Sequence, residues 1–162
     1  MTEGEIKLSV LFVCMGNICR SPTEEGVFRK FLADAGLAET LHADSAGKNS
    51  YHDGEGPDSR ARDAAERRGY SLEDIRARRV TDMDFEGFDF ILAMDEDNLL
   101  RLRDEADESH HEKISLFLDF AESIELSEVP DPYYGGAAGF ERVLDLVENA
   151  SRGLLDVVRS RL

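Results

Sequence analysis

Residues 7–13 read K-L-S-V-L-F-V, a short run rich in β-branched and aromatic side chains that stops at a cysteine. A run of this kind between polar segments is a buried strand. S-P-T-E at 21–24 then carries a helix start, with Ser21 at the N-cap, Pro22 at the first helical position and Glu24 closing a capping box. The helix is expected to run to about Ala35 and end at Gly36. The chain must therefore turn from strand to helix within residues 14–20, C-M-G-N-I-C-R.

The same alternation continues downstream. Leu41 to Ala46 reads as a second short strand, followed by a polar loop over 47–57. Asp58 caps a helix through Arg68, ended by Gly69. Thr81 to Phe88 is a short helical or turn segment. F-D-F-I-L-A at 88–93 is a third strand, and Asp95 caps a helix to about Asp104. Lys113 to Leu118 is a fourth strand. Residues 121–138 read mostly as loop. Val143, Leu144, Val147, Leu154, Leu155 and Val158 then fall at helical spacing, so Gly139 to Leu162 is a closing helix. Strands alternating with helices predict an α/β fold, a single-domain three-layer sandwich over 1–162 with a central four-stranded parallel sheet and helices on both faces.

Composition narrows the function. The net charge of −16 argues against nucleic acid as a partner. Met1 to Lys7 is acidic and polar rather than a signal peptide, and no apolar stretch approaches a membrane span, so the expectation is a soluble cytoplasmic protein. Cys14 and Cys19, the only two cysteines, are too few for a disulfide framework and lack further ligands at zinc spacing. The adjacent His110 and His111 do not share a helix face, and no metal site is expected.

The loop after the first strand suits an anion. Cys14 stands at the carboxyl end of a strand, where open parallel sheets place their ligands. The helix N-terminus beyond the loop offers free N–H groups and a favourable dipole. Gly16 lets the backbone curl so that successive N–H groups converge. Arg20 supplies a planar fork for two phosphate oxygens. Ser21 has a proton to donate to a thiolate and lone pairs left to cap the helix. Such surroundings favour the thiolate, the form that attacks phosphorus. The nucleotide-binding pattern G-x-x-x-x-G-K-[ST] is absent.

V-C-M-G-N-I-C-R-S-P at 13–22 resembles the signature of the low-molecular-weight protein tyrosine phosphatases. D-S-A-G at 44–47, A-M-D-E-D-N-L at 93–99 and D-P-Y-Y at 131–134 are similar to that family's secondary motifs, in the family's order. The resemblance implies Cys14 as nucleophile, Arg20 as phosphate clamp and Ser21 as thiolate stabiliser. It also implies Asn17 as a brace, Asp131 as general acid, and a cofactor-free reaction through a phosphocysteine. Met15, Gly16, Ile18 and Cys19 complete the phosphate loop. On its own an Asp-Pro pair is equally an ordinary turn; the resemblance is what favours the acid role. Ile75 departs from the pattern: the family commonly has there a His that ties down the loop, so the Asn17–Ser21 network must close differently or through water.

Tyr51, Tyr133 and Tyr134 fall in the two loops expected to flank Cys14. Tyr51 and Tyr133 suit flat apolar walls for a phenyl ring; Tyr134 is either a third wall or a phosphorylation target. The partner so implied is a phosphotyrosine protein, met by a monomer or weak dimer. Thiol-relay arsenate reduction is rejected, because it needs cysteines outside the loop. Arginine phosphatase is the nearer rival, and its members carry Thr where Ile18 stands. A silent phosphate-binding module would not need Cys14, Arg20 and Asp131 together. Cys19, five residues from Cys14 in one curled loop, is expected to approach it closely enough to trap an oxidised Cys14 as a disulfide.

Overall fold

The computed structural model describes residues 6–18, 20–48, 53–122, 126, 128–130, 132 and 136–162. Four strands, β1 (Leu8–Cys14), β2 (Leu41–Gly47), β3 (Phe90–Ala93) and β4 (Ile114–Leu116), form one sheet in the order β2-β1-β3-β4. Every pairing is parallel: Leu8 lies opposite Leu41, Val10 opposite Phe90, and Ile91 opposite Ile114. Among the described residues, five α-helices connect and close it: α1 (Arg20–Asp34), α2 (Ser59–Arg67), α3 (Asp82–Gly87), α4 (Glu96–Glu105) and α5 (Gly136–Ser160).

Side-chain alternation along β1 explains the layers. Val10, Phe12 and Cys14 enter one core with residues of α1, α2 and α5. Leu11 and Val13 point the opposite way, into a second core with Phe85, Leu99 and Leu102 from α3 and α4. Phe12 meets Phe28 of α1 and Phe117 edge-to-face, with ring centroids 5.7 and 5.3 Å away. Truncating such a buried ring costs about 3–5 kcal/mol. This contact sets the first helix against the first strand, and so sets the loop between them. After β1 and β3 the chain departs to opposite sides of the sheet, leaving a crevice at their carboxyl ends.

The expected strands and helices are all present, with ends displaced by a few residues. Asp58 and Asp95 accept the capping bonds expected of them, from Arg60 N–H and Asn98 N–H. Gly36 and Gly69 take positive φ beyond their helices. The capping box at 21–24 is not formed. Helix α1 begins at Arg20, and Glu24 reaches back to nothing, its two carboxyl oxygens being unpartnered. The Ser21 hydroxyl is engaged by Cys14 and Asn17 instead. A capping box does occur at α3, between Thr81 and Asp84. Among the described residues no helix is long and apolar enough to cross a membrane.

Candidate active site

Strand β1 delivers Cys14 to the mouth of the crevice and buries it to 3% exposure. Its Sγ lies 2.9 Å from Ser21 Oγ, in the first turn of α1. Between them the described part of the loop makes one left-handed step, Asn17 at φ 58°, a conformation that Asn tolerates better than most residues. The step turns the Asn17 side chain under the loop. Its Oδ1 accepts from the Arg78 backbone N–H at 3.0 Å, which fixes the orientation of the amide. Its Nδ2 donates to Ser21 Oγ at 2.9 Å and to Ser45 Oγ at 3.0 Å. Ser21 therefore accepts from Asn17, and its single proton is free to be donated to the Cys14 sulfur.

The network ends in a carboxyl group. Ser45 donates to Glu25 Oε1 at 2.6 Å, and Glu25 also pairs with Arg29. Burial pushes Glu25 above the usual carboxylate range, against the Ser45 hydrogen bond and Arg29. Ile75 is buried in the larger core and takes no part. The network anticipated to close differently without a histidine here closes on the Arg78 backbone and Ser45.

Three more contacts hold the loop. Lys48 N–H donates to the carbonyls of Cys14 and Met15, at 3.0 and 2.8 Å. Asp58 N–H, at the start of α2, donates to the Ile18 carbonyl at 2.8 Å. Gly47, at the end of β2, lies so near that a Cβ there would stand 2.9 Å from the Met15 oxygen and 3.1 Å from Asn17 N. Only glycine permits that approach. Met15 is exposed and Gly16 half-buried; Ile18 is half-buried and packs against the larger core.

Arg20 is buried and oriented from two sides. One guanidinium nitrogen donates to Asp95 Oδ2 and to the Val129 carbonyl, each at 2.9 Å. Burial alone would raise the Asp95 carboxyl, but the Asn98 N–H and Arg20 outweigh it and hold Asp95 below the usual carboxylate range. Val129 N–H is bound in turn to the Met94 carbonyl at 2.8 Å, so the segment leading to Asp131 is tied to the end of β3 and to Arg20. Cys19, Tyr51, Asp131, Tyr133 and Tyr134 lie outside the described residues.

The structure thus gathers Cys14, Asn17, Arg20 and Ser21 around one helix N-terminus. A sulfur in contact with a hydroxyl, on a loop that leads to a buried arginine at a helix N-terminus, is equipped to receive a tetrahedral oxyanion. A model of the low molecular weight phosphotyrosine protein phosphatase family matches residues 9–162. The chain belongs to that family. A Bacillus subtilis low molecular weight protein-tyrosine-phosphatase is 42% identical over 148 residues, 91% of this chain and 94% of the relative. A crystal structure of an Entamoeba histolytica protein tyrosine phosphatase superposes with a TM-score of 0.91 at 44% identity, covering 96% of this chain and 100% of that one. A Drosophila arginine phosphatase superposes with a TM-score of 0.85 at 31% identity, over 92% and 96% of the two chains. Membership makes the phosphatase a hydrolase of the protein-tyrosine-phosphatase class. The resemblance read from the motifs and the α/β fold with its four-stranded parallel sheet are both borne out.

Sequence reasoning found the loop and missed part of its support. Ser45 and Gly47 lie inside a motif without an assigned role, and Asp95 was expected only as a helix cap, not as the partner of Arg20. Glu25 and the carbonyl of Val129 carried no signal that could have found them.

Proposed function

We propose that the phosphatase hydrolyses phosphotyrosine on proteins, with Cys14 as nucleophile and residues 1–162 acting as one catalytic domain. The observation that carries this reading is the 2.9 Å contact between Cys14 Sγ and a Ser21 hydroxyl whose other contact is a donor. The Cys14 thiolate attacks phosphorus while Arg20 and the loop N–H groups hold the equatorial oxygens. The bond from phosphorus to the tyrosyl oxygen breaks, and Asp131 gives that oxygen its proton. A phosphocysteine remains. Asp131, now a carboxylate, takes a proton from the water that attacks phosphorus, the P–S bond breaks, and phosphate leaves with the thiolate restored. Every group in the scheme is a side chain or N–H of this chain, and no cofactor is needed. Tyr51 and Tyr133 serve as apolar walls for the ring, and Tyr134 is either a third wall or a phosphorylation target. The acidic charge disfavours nucleic acid, and we take the phosphatase to work in the cytoplasm as a monomer or weak dimer.

The acid role predicts a dependence on the leaving group. Asp131→Asn should lower kcat by about 10²–10³-fold on a phosphotyrosine peptide and clearly less on p-nitrophenyl phosphate, whose phenolate leaves without help. Equal losses on the two substrates, measured at one pH, would make Asp131 structural.

Similarity to an arginine phosphatase makes phosphoarginine the competing substrate. Ile18 decides between them. Its side chain cannot hydrogen-bond a guanidinium, and leaving that group unpaired in a closed site is costly. It does offer apolar surface to a phenyl ring, at about 25 cal/mol per Å² buried. On matched peptides, kcat/KM should favour phosphotyrosine, and Ile18→Thr should narrow the ratio by about tenfold. A wild type that prefers phosphoarginine, or a ratio that Thr leaves unmoved, refutes the assignment.

A further inference from the structure

Glu24 has no part in that scheme, yet it lies among the groups that perform it. It stands one helical turn beyond Arg20 on α1 and is completely buried. Both carboxyl oxygens lack a hydrogen-bond partner. A buried carboxylate without partners is among the costliest states a side chain can adopt, whereas the neutral acid is tolerable. Its neighbour Glu25 shows the contrast, bonded to Ser45 and paired with Arg29.

Among the described residues, two charged groups act on Glu24: Cys14 from β1 and Arg20 from its own helix. The other elements packed on α1, namely α2, α5 and β2, contribute none among those residues. Asp95, at the start of α4, enters only through the guanidinium it shares. Burial first, and then Cys14, drive the Glu24 carboxyl well above the usual range, with Arg20 opposing.

We propose that Glu24 is a positioning residue: held as the neutral acid beside Cys14 and Arg20, it keeps the cradle receptive to phosphate, and its ionisation turns the cradle off. The ionised carboxylate sets a second negative charge against the Cys14 thiolate and competes with phosphate for Arg20, which Asp95 already engages. The proton on Glu24 therefore belongs to the binding-competent state. The inference rests on the phosphate site assigned above, so its test must read that site separately.

Inorganic phosphate is the probe, its dissociation constant measured by titration calorimetry from pH 6 to 10. Above its second ionisation phosphate stays a dianion across most of this range, so a further loss of affinity reports the protein. Wild type should weaken by about tenfold or more toward alkaline pH, the effect of one added charge near the site. Glu24→Gln should stay flat apart from changes caused by the lysines and tyrosines common to both proteins. Glu24→Leu serves the same purpose if the Gln variant fails to fold. Cys14→Ser removes one of the two forces that keep Glu24 protonated, so its loss of affinity should begin at lower pH than in wild type. Parallel pH profiles for wild type and the Gln or Leu variant overturn the proposal. So does a Cys14→Ser profile whose onset does not move. Absence of phosphate binding by wild type at pH 6 overturns the site assignment itself, and the proposal with it.

Discussion

Cys14→Ser should lose turnover of p-nitrophenyl phosphate by about 10⁵-fold or more while still binding inorganic phosphate at neutral pH within about tenfold of wild type. The two halves of this result come from different parts of the loop. Turnover needs a nucleophile that is ionised without assistance. Among the described residues the hydrogen-bond contact of Cys14 is Ser21, whose hydroxyl can donate its proton to the sulfur. A serine hydroxyl is far less acidic than a thiol, and the Ser21 hydroxyl is no base to take its proton, so a serine at position 14 would stay neutral and inert. Binding uses the N–H groups at the helix start and Arg20, and Arg20 is set by Asp95 and Val129 rather than by the thiol. Removing the thiolate also removes a charge that repels phosphate, which offsets any loss of fit. Steady-state kinetics and phosphate titration on the same preparation decide the matter. Turnover by the serine variant within about 100-fold of wild type would remove Cys14 from the nucleophile role. Loss of both activities would show a collapsed loop instead.

What could be read from the sequence follows the range of the interactions. The loop was legible because its strand, glycine, serine and helix start are contiguous, and the chemistry each supplies is local. What braces the loop was not. Asn17 meets Ser45 across 28 positions and Arg78 across 61, and Arg20 meets Asp95 across 75. Such pairs exist only once the sheet order is known, because β2 and β3 lie on either side of β1. Gly47 shows the same dependence. In the sequence it is one glycine of a polar loop, while in the fold it is the only side-chain size that the back of the phosphate loop admits. The capping box at 21–24 failed for a related reason. S-P-T-E satisfies the local pattern, but Cys14 and Asn17 claim the hydroxyl of Ser21, and the core claims Glu24. The local rule gave way at the site where function needed the same atoms.

The burial of Glu24 should also be visible in stability, independently of any ligand. In the unfolded chain its carboxyl titrates near 4.5, and in the folded protein burial and Cys14 hold it well above that. Below about pH 4.5 both states carry the proton and Glu24 adds no pH dependence. Above it the unfolded state releases the proton while the folded state keeps it. Stability then falls by about 1.4 kcal/mol per pH unit from this one group, until the pH passes the folded-state value and the slope vanishes. Glu24→Leu cannot titrate and is spared that loss. Urea unfolding of both proteins at pH 5, 6 and 7 should therefore show the variant gaining on wild type at each step, with m-values unchanged. Glu25, Asp58 and Asp95 are also shifted, but they are common to both proteins and cancel in the difference. The offset at pH 5 mainly reports the exchange of a carboxyl for an isobutyl group, whereas the widening with pH reports the proton alone. A gap that stays constant from pH 5 to 7 would mean that Glu24 is ionised in the folded protein, and that its carboxylate has found a partner in Arg20.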